Sequence, residues 1–267
     1  MIRGVKGSLL AAVSLALVGC AASNGETASA SDKPAEKPVK FNKDPYPSTY
    51  KPYPGQVTAV RNVTIFDGEG GRIDNGTVLL ANGKVEAIGG PDTPIPADVA
   101  VYDGTGKYLT PGVIDIHSHL GDYPSPSVDA HSDGNEATSP TTPEVWSEHS
   151  VWPQDPGFSR ALANGGVTSL QILPGSANLM GGRSITLKNV PSRTVQGMKF
   201  PGAPYGLKMA CGENPKRVYG GKGRAPSTRM GNFAVNRATW QKAAAYKKKM
   251  DDGKAVDRDL AMETLAG

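Results

Sequence analysis

Cysteine is almost absent: the 267 residues contain only Cys20 and Cys211. A disulfide-stapled scaffold is thereby excluded. Charge of one sign is lacking as well. The net charge is +4, with basic and acidic residues mixed along most of the chain, which excludes a strongly basic nucleic-acid binder. No apolar run is long enough for an ordinary internal membrane span. Turn formers, by contrast, are plentiful. The 33 glycines and 22 prolines make up about a fifth of the chain, a load that disfavours a helical bundle and favours short strands, turns and loops. With 38% hydrophobic and 20% charged residues a packed core can form, and the length suits one large domain or two modest ones.

Residues 1–19 read as an address. Arg3 and Lys6 supply a positive start, and an apolar stretch from Leu9 to Val18 follows, the order of a secretory signal peptide. The ending Leu17-Val18-Gly19-Cys20 resembles the bacterial lipobox. That resemblance implies lipidation of Cys20 and a chain anchored in a bacterial cell envelope. Ala21 in place of Asp points to the outer membrane or its periplasmic face. A short anchor that is never cut is the alternative. With Cys20 lipidated, Cys211 has no partner within the chain. Residues 20–55 are rich in Ser, Ala, Lys, Glu and Pro and cannot bury enough surface to offset chain entropy, so they read as a disordered tether. Tyr46, Tyr50 and Tyr53, in its Pro-rich end, are expected to start docking on the folded body.

From 56 to 108 the pattern is short strands and Gly turns. Val57–Phe66 is β-branched and partly alternating, and Asn82-Gly83 between two apolar runs is a hairpin signal. The texture changes at Leu109. Leu109-Thr110-Pro111-Gly112 is a turn, and Val113-Ile114-Asp115-Ile116-His117 reads as a strand suited to burial on both faces. It ends in His117-Ser118-His119. Residues two apart on an extended strand share a face, so both imidazoles converge on one point, as a divalent metal requires of two ligands. A bare His-x-His also arises by chance; the preceding turn, strand and hairpin unit give this one its weight.

At these residues the chain resembles the amidohydrolase superfamily. Leu109–His119 matches the opening barrel strand of that family, and the hairpin at Asn82-Gly83-Lys84-Val85 matches its small β-sandwich. Ala163–Ser169, Leu173–Asn178 and Gly206–Pro215 are similar to its imidazolonepropionase-related, secreted branch. The resemblance implies an α/β fold: a β-sandwich subdomain over 56–108, then a (β/α)8 TIM barrel from 109 to 267. It implies one or two divalent ions, zinc above all, at the carboxyl ends of the strands. It implies His117 and His119 as metal ligands, with Glu213 as the best local carboxylate for a further position; Glu213 followed by Asn214-Pro215 equally fits a turn carboxylate. Lys208 is the candidate for carbamylation, ranked lower because the family places that lysine on a later strand. Cys211 reads as a small buried residue.

The rest of the barrel reads in pieces. A Ser-, Pro- and Asp-rich loop over 120–155 would lie across the catalytic face. It carries His131, His149, Asp129, Asp133, Glu136, Glu144 and Glu148 within reach of metal or substrate, or simply solvated, while Trp146 and Trp152 pin it down. A helix spans 156–164 and stops at Gly165-Gly166; strands follow at 167–173 and 206–210, with a short extra strand at 185–188. The loop 174–182 is small and could hydrogen-bond a substrate. Helices are expected over 230–250 and 257–266. No histidine follows His149, and about 250 residues make a full barrel, so the expectation is an incomplete barrel, the N-terminal part of a longer chain and inactive alone. The reading is then a metal-dependent hydrolase of non-peptide or cyclic amide C–N bonds, acting on a small molecule. Its alternatives are a metal-dependent dipeptidase of the same superfamily and a non-catalytic lipoprotein remnant. No general base can be named, and oligomeric state, a homo-oligomer included, stays open.

Overall fold

The computed structural model describes residues 42–267; the signal segment, Cys20 and most of the tether lie outside the described residues. The first layer holds strands β1 (Thr58–Phe66), β2 (Arg72–Ala81), β3 (Lys84–Gly89), β4 (Ala100–Asp103) and β5 (Tyr108–Leu109). They make a five-stranded sheet in the order β3-β2-β1-β4, with β5 also on β1. The β2–β3 turn is Asn82-Gly83, both at positive φ (53° and 72°), which matches the right-handed twist of the flanking strands. Val63, Ile65 and Val78 form its small core, backed by Val60, Ile73 and Leu109. Among the described residues this unit is one sheet.

The second layer carries β6 (Val113–Ser118), β7 (Val167–Ile172), β8 (Met180–Lys188) and β9 (Gly206–Met209) in that spatial order. β6 and β7 are parallel, whereas β8 runs antiparallel to both β7 and β9. The short extra strand of the sequence is thus a nine-residue strand lying between the two barrel strands it was meant to decorate. β7 and β8 present Leu170, Ile172, Ile185 and Leu187 to Val151, Phe158, Val195 and Met198. Phe158 comes from α1 (Pro156–Gly165), Val195 and Met198 from α2 (Val195–Met198). α1 ends on Gly166 at φ 61°, a left-handed conformation that a Cβ would strain.

β6 departs from its expectation. Ile114 and Ile116 are 66% and 73% exposed, not buried on both faces. The reason is pairing: β6 is an edge strand whose one neighbour among the described residues is β7.

Beyond β9 come α3 (Glu213–Gly220), α4 (Arg229–Asp251) and α5 (Leu260–Ala266). α3 begins where Asn214-Pro215 suggested a turn; proline is tolerated in a first helical turn because the amide it lacks has no partner there. Asn232 ties α4 to the end of β9, its Nδ2 donating to the Cys211 and Gly212 carbonyls at 2.9 and 3.0 Å. Cys211 itself is exposed rather than buried.

The 120–155 loop is held by buried polar groups. Asp155 accepts from the amides of Gly157 (2.9 Å), Gly121 (3.0 Å) and Ser125 (3.3 Å), so one carboxylate caps α1 and fixes the turn after the histidines. Glu148, 3% exposed, pairs with the equally buried Lys199. Lys199 Nζ also meets Asp44 Oδ1 and the Tyr46 carbonyl, both at 2.6 Å. Ser48 Oγ donates to the Lys199 carbonyl at 2.6 Å, the Thr49 amide to the Gln196 carbonyl at 2.9 Å, and the Tyr53 hydroxyl to the Pro191 carbonyl. Residues 44–53 therefore lie stitched to the body.

Asp122 is fully buried and accepts from Ser150 Oγ (2.9 Å) and Ser147 Oγ (3.3 Å). Burial outweighs those bonds and pushes its carboxyl up to about 7. The folded state therefore holds a proton that the unfolded chain releases near pH 4, and stability falls as pH rises from about 4 to 7. Asp122→Asn is expected to abolish that slope and to melt above the parent at pH 8, read by thermal unfolding across pH. Asp155→Ala removes the cap and leaves two further amides without their acceptor. It is expected to cost about 2–4 kcal/mol, with a smaller loss for Asp155→Asn, measured by urea denaturation.

Candidate metal centre

β6 delivers His117 from its last turn of pleat and His119 just past its end. The two rings lie 5.3 Å apart between centroids, at 83° to each other. His119 Nδ1 sits 2.7 Å from the Leu173 carbonyl at the end of β7. A carbonyl only accepts, so Nδ1 carries the hydrogen and Nε2 keeps its lone pair. Burial holds the His119 imidazole below its ordinary pKa against the Leu173 bond, with Lys208 and His117 adding to the depression. A neutral ring with a free Nε2 is the form a metal takes, and a second-sphere carbonyl on Nδ1 is the usual way of fixing it.

His117 Nε2 faces Lys208 Nζ at 3.3 Å. Lys208 comes from β9, is 7% exposed, and burial alone lowers its pKa. In a flat sheet β6 and β9 would stand three strand spacings apart, about 14 Å. Contact across that distance requires a curled sheet, with both side chains on its concave side. The backbone amide of His117 also donates to Asp115 Oδ1 at 3.1 Å. Two imidazoles and a buried amine thus share one spot, and the fit to a divalent ion is that of the donors: two ring nitrogens side by side, the His119 Nε2 free and the His117 Nε2 turned to an amine.

The other candidates lie elsewhere. Glu213 opens α3 with its side chain 65% exposed and paired to Arg217 Nε at 3.1 Å. Among the described residues no group of three His, Cys, Asp or Glu side chains has a metal-holding arrangement, so the structure does not gather Glu213 with the histidines. His131 packs against Trp152 at a tilt (4.9 Å, 43°), and His149 stacks on Trp146 (5.9 Å) with Tyr46 edge-on. Arg183 lies over the Trp146 ring at 4.3 Å. Both tryptophans thus hold the loop, as their placement in the sequence suggested. Glu148 is absorbed by Lys199.

The loop 174–182 is also spent internally. The Ala177 amide donates to Asn135 Oδ1 (2.9 Å), Ser176 Oγ accepts from Asn214 Nδ2 (2.6 Å), and Asn178 Nδ2 reaches the Glu136 carbonyl (2.7 Å). Asn178 Oδ1 accepts from the buried Tyr219 hydroxyl. Beside this loop opens a cavity of about 1360 Å³, whose lining includes Gly134, Asn135, Glu144, Pro174 and Gly181. A Cβ on Gly181 would lie 3.4 Å from Lys208 Cγ, so the cavity reaches the edge of the histidine–lysine cluster. The structure places Lys208, a lower-ranked candidate in the sequence, beside His117. The signal was there, a lysine between apolar Leu207 and Met209 on a strand, but its partner lies 91 residues away.

No protein-family model matches the chain. It is 34% identical to the amidohydrolase tasK of Hapsidospora irregularis over 223 residues, 74% of this chain and 23% of that protein. A shorter stretch of 67 residues is 39% identical to the imidazolonepropionase of Idiomarina loihiensis, 24% of this chain and 16% of that one. Among solved structures, an amidohydrolase from Thermotoga maritima MSB8 superposes with a TM-score of 0.70 and 42% identity, over 78% of this chain and 54% of that one. The chain thus spans about half the length of the solved protein and about a quarter or less of the two curated relatives. With the curled β6–β9 sheet and its paired histidines, these homologues support the amidohydrolase superfamily.

Proposed function

We propose that this chain supplies the first half of the active site of a metal-dependent hydrolase of C–N bonds in a small cyclic or linear amide. The observation that carries the reading is the disposition of His117, His119 and Lys208: two adjoining imidazoles, one of them with its Nε2 left free by the Leu173 carbonyl, beside a buried amine of lowered basicity. His117 and His119 would hold a divalent cation, zinc by preference. Glu213 is left out of the ligand set because its carboxylate is turned to Arg217. When bound, the cation supplies Lewis acidity for an amide carbonyl.

Lys208 has a second use under this reading. A buried amine of lowered basicity can, from its neutral form, add to carbon dioxide: the Nζ–C bond forms, one N–H proton leaves to solvent, and an anionic carbamate remains. That group offers the oxygen donor which the described carboxylates do not bring to the histidines. β9 is the fourth strand of the sheet in spatial order, and the contact of its Lys208 with His117 is what supports this use. The remaining ligands and the general base would come from chain beyond these residues, and Cys20 would tether the enzyme to a bacterial envelope membrane.

Two experiments test this. The full-length enzyme, loaded with zinc, is offered a panel of cyclic amides, dipeptides and N-acyl amino acids. His117→Ala with His119→Ala is expected to lose bound zinc and at least 1000-fold in kcat/KM; retained zinc and turnover would sink the site. Labelled bicarbonate should give a carbamate carbon signal by NMR that disappears in Lys208→Met, together with much of the bound metal. A Lys208→Met protein holding zinc at the parent level would remove the lysine from the centre.

A further inference from the structure

Tyr123 follows His119 by four residues, and its ring meets the His119 ring edge-on, with centroids 5.9 Å apart at 82°. Its hydroxyl has one partner among the described residues, Asn135 Nδ2. The orientation of Asn135 is fixed from its other side, because Oδ1 accepts the Ala177 amide at 2.9 Å. An amide NH2 can only donate. The phenol oxygen is therefore the acceptor, and its own hydrogen is left over.

The surroundings are shaped for this pair. A Cβ on Gly134 would fall 2.3 Å from Tyr123 Cζ, and one on Gly175 would fall 2.2 Å from Asn135 Nδ2. The Gly175 amide donates to the Gly134 carbonyl, so the two bare backbones close around the two side chains. Gly134, Asn135 and Pro174 line the large cavity, and Pro174 follows directly on the residue whose carbonyl holds His119. The phenol with its unused hydrogen thus stands between the His119 ring and Asn135, a residue of the cavity wall. A phenol ordinarily keeps its hydrogen at neutral pH.

We propose that Tyr123 touches the substrate, its O–H donating to the carbonyl oxygen of the scissile amide as negative charge gathers there. The substrate is then a carbonyl compound whose oxygen lies on the Tyr123 side of the histidine pair, with Asn135 as the positioning residue that aims the phenol. The proposal rests on the hydrolase reading for its substrate class, but not for the placement of the free donor.

The test uses the zinc-loaded full-length enzyme and Tyr123→Phe, which keeps the ring and removes the donor. Loss of a single donor to a developing oxyanion lowers kcat by roughly 100- to 1000-fold. The expected result is that loss in kcat, with KM within about threefold by the same reasoning and zinc content equal to the parent. An unchanged kcat, or a kcat that falls only in step with zinc content, would overturn the proposal. A second measurement does not need turnover: acetohydroxamate, a small carbonyl probe, is titrated into both zinc-loaded proteins by calorimetry. Binding at least tenfold weaker to Tyr123→Phe supports the donor, and equal affinity defeats it. If the parent turns over no amide in the panel, the C–N hydrolase reading fails, while the acetohydroxamate comparison still decides the tyrosine.

Discussion

The hydrogen bond from His119 Nδ1 to the Leu173 carbonyl is the contact on which the site depends. It joins the end of β6 to the end of β7, so the parallel pairing of two strands becomes the orientation of one ring. It also sets the tautomer, and with it the nitrogen whose lone pair stays free. Had the bond been missing, the imidazole would turn freely. Local chain geometry, not overall charge, therefore creates the electron-pair donors of this region.

Around that contact the loop between β6 and α1 is organised by polar groups that water does not reach. Asp155, Asp122 and the Glu148–Lys199 pair each bind backbone or side-chain donors from distant segments. Buried charges are costly unless compensated, so each is stable only while its partners stay in place. The loop consequently behaves as a fitted part of the fold. It holds Tyr123 and Asn135 against the 174–182 loop, and it receives residues 44–53 on its other flank. A sheet curled enough to bring β9 to β6 supplies the floor.

Much of this was legible in the sequence because its signals are local. Asn82-Gly83 made its hairpin, Gly166 closed α1, and the alternation of His117 and His119 set both rings on one side. What was not legible depends on residues far apart in the chain. β8 reads as a short hairpin strand until β9 is seen beside it. Glu148 looks like a solvated loop acid until Lys199, 51 residues on, is placed against it. The apolar run of β6 predicted burial, but burial needs a second neighbour that pattern alone cannot supply. The contact of Lys208 with His117 was not legible either, because it depends on a sheet curled enough to bring β9 to β6.

Gly134 and Gly175 have a wider consequence. Neither carries a reactive group, yet an added methyl at either would displace the phenol or the amide beside it. The chemical identity of the region is thus guarded partly by two empty positions. Swaps that leave every nucleophile, acid and ligand intact would still erase it, and a search for relatives keyed to functional groups alone would pass over the difference.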